Sequence, residues 1–132
     1  MDNSEQLMRA LQILAAPAEA QIAHYPDFVV VGDELALDFE DACRQFLPDA
    51  SGLTEEQRRS IAALDMFLEE LSGHDNERFW LDRSALRKDE RWCEIRAKAA
   101  EVLDAFGWPH EVPPRSDATY VSGGMIWRGG GR

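Results

Sequence analysis

Cysteine is scarce in this chain, and the two present stand apart. Cys43 and Cys93 form no C-x-x-C pair, so the ligand spacing of a structural zinc site and of a thioredoxin-like redox site is missing. Histidine is scarce as well: His24, His74 and His110 are the three. None stands three residues after a glutamate, which removes a di-iron bundle built on Glu-x-x-His pairs. No G-x-S-x-G nucleophile turn occurs. The glycine cluster at 129–131 leads into no helix, so no loop is set to cradle phosphate. Long apolar runs are also missing, and none approaches the length that spans a bilayer. Asp2 and Glu5 precede the apolar patch near the N-terminus, and Arg9 and Gln12 interrupt it, which is not the pattern of a secretory signal. The expectation is a soluble, cytoplasmic protein with no cofactor and no metal.

Positive charge is the other shortage. Against 25 Asp and Glu stand 14 Lys and Arg, a net charge of −11. The imbalance is local: residues 1–77 hold 17 acids and 4 bases, whereas residues 78–132 hold 8 acids and 10 bases. Such a field repels nucleic acid and anionic lipid and draws in basic partners. It leaves no nucleic-acid partner and no membrane partner to expect. Charge on this scale also serves solubility alone.

What is present in quantity is helical periodicity. Leu7, Leu11 and Leu14 share one face of a helix over Ser4–Ala15, capped by Asn3 or Ser4. Pro17 suits the first turn of a short second helix that runs to about His24, and Pro26 ends it. Phe28, Val31, Leu35, Phe39, Cys43 and Phe46 then step by three and four. That stripe predicts a helix from Phe28 to Leu47 despite the β-branched "FVVV" at its start. Gly32 weakens a helix by up to about 1 kcal/mol, so the alternative start is at Asp33 as cap. Thr54 with Gln57 reads as a capping box, followed by an apolar face of Ile61, Leu64, Leu68 and Leu71 widened by Met66 and Phe67. Gly73 is placed to stop that helix. "HDNERFWLDRSALRKD" predicts one or two short helical turns, with Asp82 and Asp89 as caps and Phe79, Trp80 and Leu86 in the core.

The last helix carries Trp92, Ile95, Ala99, Val102 and Phe106. Gly107, Trp108 and Pro109 then spell a left-handed stop, with Trp108 packing on Leu103. Both cysteines fall on apolar sides of helices, where a thiol behaves as a small hydrophobe. The predicted fold is all-α: a compact bundle of about four main helices with short ones, over residues 1–109. Residues 110–132, rich in proline and glycine, are expected to form a mobile or extended tail.

The acids of the third helix concentrate the functional question. Glu34, Asp38 and Asp41 share a face, flanked by Asp33 and Glu40. Like charges at this spacing oppose the helix by roughly 0.2–0.5 kcal/mol per pair, so something else must offset them. One candidate is the basic stretch Arg83, Arg87, Lys88, Arg91, Arg96 and Lys98, docked on the acidic helix within the same chain. Another is a basic protein. In size, helix pattern and the residues "DELALDFED" (33–41), with Glu69 and Glu70 downstream, the chain resembles the small acidic helical immunity proteins that neutralise bacterial toxins. The aromatic Tyr-Tyr pair of the colicin-nuclease members has no counterpart. The resemblance implies a toxin inhibitor, not an enzyme, whose Asp33, Glu34, Asp38, Asp41, Glu69 and Glu70 meet a basic cleft. An alternative is a magnesium-dependent enzyme similar to the all-α nucleotide pyrophosphohydrolases, which hold metal with carboxylates at i and i+3. Asp38 with Asp41 and Glu101 with Asp104 have that spacing, although the family's Glu-rich first pair is not matched. An accessory or scaffold role is the third reading. Trp80 and Trp108, at element ends, are the aromatics suited to a surface contact.

Overall fold

The computed structural model describes residues 3–72, 76–113, 119–122 and 125–128. Among these, seven α-helices follow one another: α1 (Asn3–Leu14), α2 (Ala18–His24), α3 (Val31–Phe46), α4 (Glu55–Leu71), α5 (Glu77–Leu81), α6 (Arg83–Lys88) and α7 (Glu90–Phe106). A 3-10 turn at Leu47–Asp49 closes α3. The fold is all-α. Two short strands, β1 (Thr119–Ser122) and β2 (Met125–Arg128), follow in sequence and pair antiparallel, with Thr119 opposite Arg128 and Ser122 opposite Met125. Gly73 and His74 lie outside the described residues, as does most of the glycine-rich tail. No helix among the described residues is long and apolar enough to cross a membrane.

Helix α1 is the centre of the bundle. It packs against α3 on one side and α7 on another, and α4 covers α7. Leu7, Leu11 and Leu14 of α1 are fully buried, as are Leu35 and Phe39 of α3, Leu64 of α4, and Trp92, Ile95, Ala99 and Val102 of α7. The three-and-four spacing of these residues builds one continuous core. The local stops and starts follow from the sequence. The Thr54 hydroxyl accepts from the Gln57 amide while the Gln57 side chain accepts from the Thr54 amide. Asp82 and Asp89 accept from Ser84 N and Arg91 N. Gly107 adopts φ 70°, and the Trp108 amide reaches back to Leu103 O at 2.9 Å.

Three expectations need correction. Helix α3 begins at Val31, with Gly32 inside its first turn and Val30 as an N-cap without a side-chain bond. Asp33 is therefore not the cap. The reason is Trp80: a Cβ on residue 32 would lie 2.5 Å from the Trp80 carbonyl oxygen. Glycine stands there because α5 crosses so closely. Met66 does not widen the face of α4, since it is 61% exposed. Cys93 is exposed and Cys43 only half-buried, and both are free thiols. Trp108 stacks on Phe106, with ring centroids 4.4 Å apart and planes at 13°. Its amide donates to Leu103 O, and its ring packs against the core cluster that includes Leu103.

Candidate functional site

The predicted acids do not form one surface. On α3, Glu34, Asp38 and Asp41 lie on the flank that turns toward Tyr25. Asp33, Leu37 and Glu40 lie one residue's turn away, about 100° round the helix. Together with Ala36 they face α4 and α5.

The Tyr25 flank is partly compensated. Tyr25 is buried, and its hydroxyl donates to Asp38 Oδ2 at 2.7 Å. Burial pushes the Asp38 carboxyl above its ordinary range; the Tyr25 hydrogen bond pulls the other way, and the nearby Asp41 charge adds to the rise. Glu34 is raised by burial first and then by Asp38, Asp33 and Asp41. Asp41 pairs with Arg44 at 2.7 Å on the exposed surface, a contact that contributes about 0–1 kcal/mol.

The second flank is a groove of about 410 Å³ lined by Asp33, Ala36, Leu37, Glu40, Leu68, Ser72 and Trp80. The two long helices run in opposite directions along it. At one end Trp80 meets both: its indole N–H donates to Leu71 O at 2.8 Å, and its carbonyl lies under Gly32. At the other end the Asp65 and Glu40 charges bear on Cys43, whose thiol is pushed up to about 12, chiefly by burial. Asp65 lies near Cys43 but is not among the residues that line the groove; Glu69 follows it one turn on along α4. Glu70 lies about 100° further round, away from the groove. Burial raises the Asp33 carboxyl above its ordinary range. Trp80 is held edge-on to Phe79 and Trp92, with centroids 4.9 and 5.8 Å away, so its position is fixed by the core. The sequence placed Trp80 among the core plugs and, from its position at an element end, also marked it with Trp108 as suited to a surface contact. It gave no sign that Leu37 and Leu68 would lie beside it.

The basic stretch does not dock on the acidic helix. Arg87 pairs with Glu19 of α2 at 2.5 Å. Arg83 donates to Asp27 O at 3.0 Å. Arg91 holds Asp89 at 2.7 Å and Asn76 at 2.9 Å. Arg96 donates to the fully buried Gln21 side chain at 3.1 Å and to Leu86 O. Lys98 pairs with Glu94 at 3.6 Å and stands over the Phe67 ring. Among the described residues, the ion pair on a carboxylate of α3 is the one from Arg44 in the same helix.

The two i, i+3 acid pairs occupy different places. Glu101 and Asp104 line a cleft of about 480 Å³ between α4 and α7 with Glu56, Arg59 and Lys98, and no residue of α3 joins them. Asp104 also holds His110 at 2.7 Å. Among the described residues, no group of three or more His, Cys, Asp or Glu side chains is gathered where a metal ion would be held.

Compared with known family models, curated proteins and solved structures, the chain matches none.

Proposed function

We propose that this chain is a small acidic protein-binding domain that captures a basic protein, in the manner of an immunity or inhibitor protein. One observation carries the reading. The chain has ten basic residues after position 77, and of the stretch 83–98 Arg83, Arg87, Arg91, Arg96 and Lys98 are engaged by α2, α6, α7 and nearby loops. Of the carboxylates of α3, Glu40 and Asp41 are exposed, Asp33 and Glu34 half-buried and Asp38 bonded to Tyr25, and among the described residues Arg44 is the cation paired with them. Like charges held together on a helix cost stability, and a basic partner would offset that cost on binding. A face of net negative charge also speeds encounter with a cationic one, and the gain falls as salt rises.

The test is retrieval of the bound protein from the native host, followed by kinetics at several salt concentrations. The expected result is a basic protein whose association rate falls steeply between low and physiological salt while its dissociation rate changes little. A neutral or acidic partner, or an association rate indifferent to salt, would overturn the reading.

A further inference from the structure

The groove between α3 and α4 adds what an acidic face alone lacks, a place for an apolar anchor. Leu37 is 48% exposed at its floor, Trp80 is half-buried beside it, and Leu68 is a buried core residue beneath. The lining on α3 spans Asp33 to Glu40, two turns or about 10 Å. Asp33 and Glu40 of α3 are among the lining residues, and the exposed Asp65 and Glu69 of α4 stand three residues before the lining Leu68 and Ser72, on the same side of that helix. No basic residue is among those that line it. A second copy of this chain seated there would set acid against acid, which works against self-association. A helix with an apolar stripe and basic flanks matches both the floor and the banks, and the spacing of the lining residues suits the helix-in-groove mode.

We propose that this groove receives a basic amphipathic helix of the partner, seating an apolar side chain over Leu37, Leu68 and Trp80 while Lys or Arg side chains meet Asp33, Glu40, Asp65 and Glu69. The inference rests on the proposed capture of a basic protein and names where and by what chemistry it occurs. It moves the point of contact from Glu34, Asp38 and Asp41 to the opposite flank of α3.

The probe is a synthetic helical peptide of about 18 residues, long enough to hold helix when bound. It carries leucines on one face and lysines on its flanks. Two control peptides replace the lysines by glutamates, or the leucines by serines. Binding to the full chain is followed by the NMR shifts of the Leu37 and Leu68 methyls and the Trp80 indole N–H. The expected result is saturable shifts at those three groups with the Leu/Lys peptide, and binding at least tenfold weaker with either control. Leu37→Ser is expected to weaken binding tenfold or more, and so is Asp33→Asn with Glu40→Gln. Glu34→Gln with Asp41→Asn is expected to change it less than threefold. Because Leu37 is half exposed, its variant should keep the fold; should its thermal midpoint drop, the Asp33→Asn/Glu40→Gln pair decides.

Shifts confined to the Glu34–Asp38–Asp41 flank would sink the groove while leaving a basic partner in place. So would equal binding by the serine control or by Leu37→Ser. Equal binding of the glutamate control, or no binding at low salt, also overturns the proposal. Dimerisation in the ultracentrifuge that Leu37→Ser abolishes would assign the groove to a second copy. The partner retrieval described above fails separately, on the charge of the protein retrieved.

Discussion

Tyr25 and Asp38 meet where the buried core gives way to the acidic flank, and the two effects on Asp38 are opposed. Desolvation disfavours its charge, and the tyrosine hydroxyl favours it. The first is larger, so the folded state holds the Asp38 proton more tightly than the unfolded chain does. In the pH window between the ordinary carboxylate value and the raised one, the native state binds more protons, and stability falls as pH rises. Above the raised value the whole penalty is present; it is lost as pH falls through that value. Glu34, with Asp33, Asp38 and Asp41 acting on it, has the same sign. Asn at 38 would still accept from the Tyr25 hydroxyl without carrying charge. Asp38→Asn should therefore raise the thermal midpoint at neutral pH, and the gain should vanish in acid below the ordinary carboxylate range. A variant less stable than its parent at pH 7 would show that the hydrogen bond to a charged acceptor outweighs burial.

At the scale of elements, the decisive contact is α5 across the first turn of α3. An alanine normally favours a helix interior over glycine by up to about 1 kcal/mol. At position 32 the added methyl would sit 2.5 Å from a backbone oxygen and 3.2 Å from the Trp92 ring. Neither can swing away: Trp92 is stacked on Phe79 at 4.9 Å and fully buried. Overpacking of this kind costs about 1–3 kcal/mol. Gly32→Ala is expected to lower unfolding free energy by about 1–2 kcal/mol in a urea titration, with a change in tryptophan emission as Trp80 is displaced. An equal or higher midpoint would mean that α5 moves aside freely.

This contact also marks what could be read beforehand. The helices, the capping box, the caps at Asp82 and Asp89 and the stop at Gly107 were legible because each is settled within about five residues of chain. The stripe from Phe28 to Phe46 was legible because the helical period exposes one buried face. Gly32 looked like a boundary because its reason lies 48 positions away, at Trp80. The same distance hid the groove. Periodicity placed Leu37 outside the buried stripe, but only the crossing of α4 and α5 puts Leu68 and Trp80 beside it. Local spacing likewise gave no sign that Arg87 would reach Glu19, or Arg96 the buried Gln21, in place of the acidic helix. Met66 and Cys93 show the remaining failure: an apolar side chain at the edge of a stripe was assigned to the core, and no neighbouring helix covers it.

For the whole molecule, charge acts with opposite sign on folding and on binding. A net charge of −11 opposes compaction by self-repulsion. The surface ion pairs Arg9–Glu5, Arg59–Glu55 and Lys98–Glu94 work the other way, but each exposed pair contributes about 0–1 kcal/mol and is itself weakened by salt. Repulsion among the acids of residues 1–77, where 17 acids face 4 bases, extends over many pairs. The Debye length shrinks from about 30 Å at 0.01 M salt to about 8 Å at 0.15 M, which removes most of the long-range repulsion while sparing core packing. The thermal midpoint of the isolated chain should therefore rise by a few degrees over that salt range in scanning calorimetry. The rise should be smaller in Asp33→Asn/Glu40→Gln, which removes two of the outward charges. Association with a basic partner should slow over the same range, because the field that strains the free protein is the one that attracts the ligand. A midpoint that falls with salt would mean that the ion pairs dominate, and that the acids of α3 and α4 are already balanced within the fold.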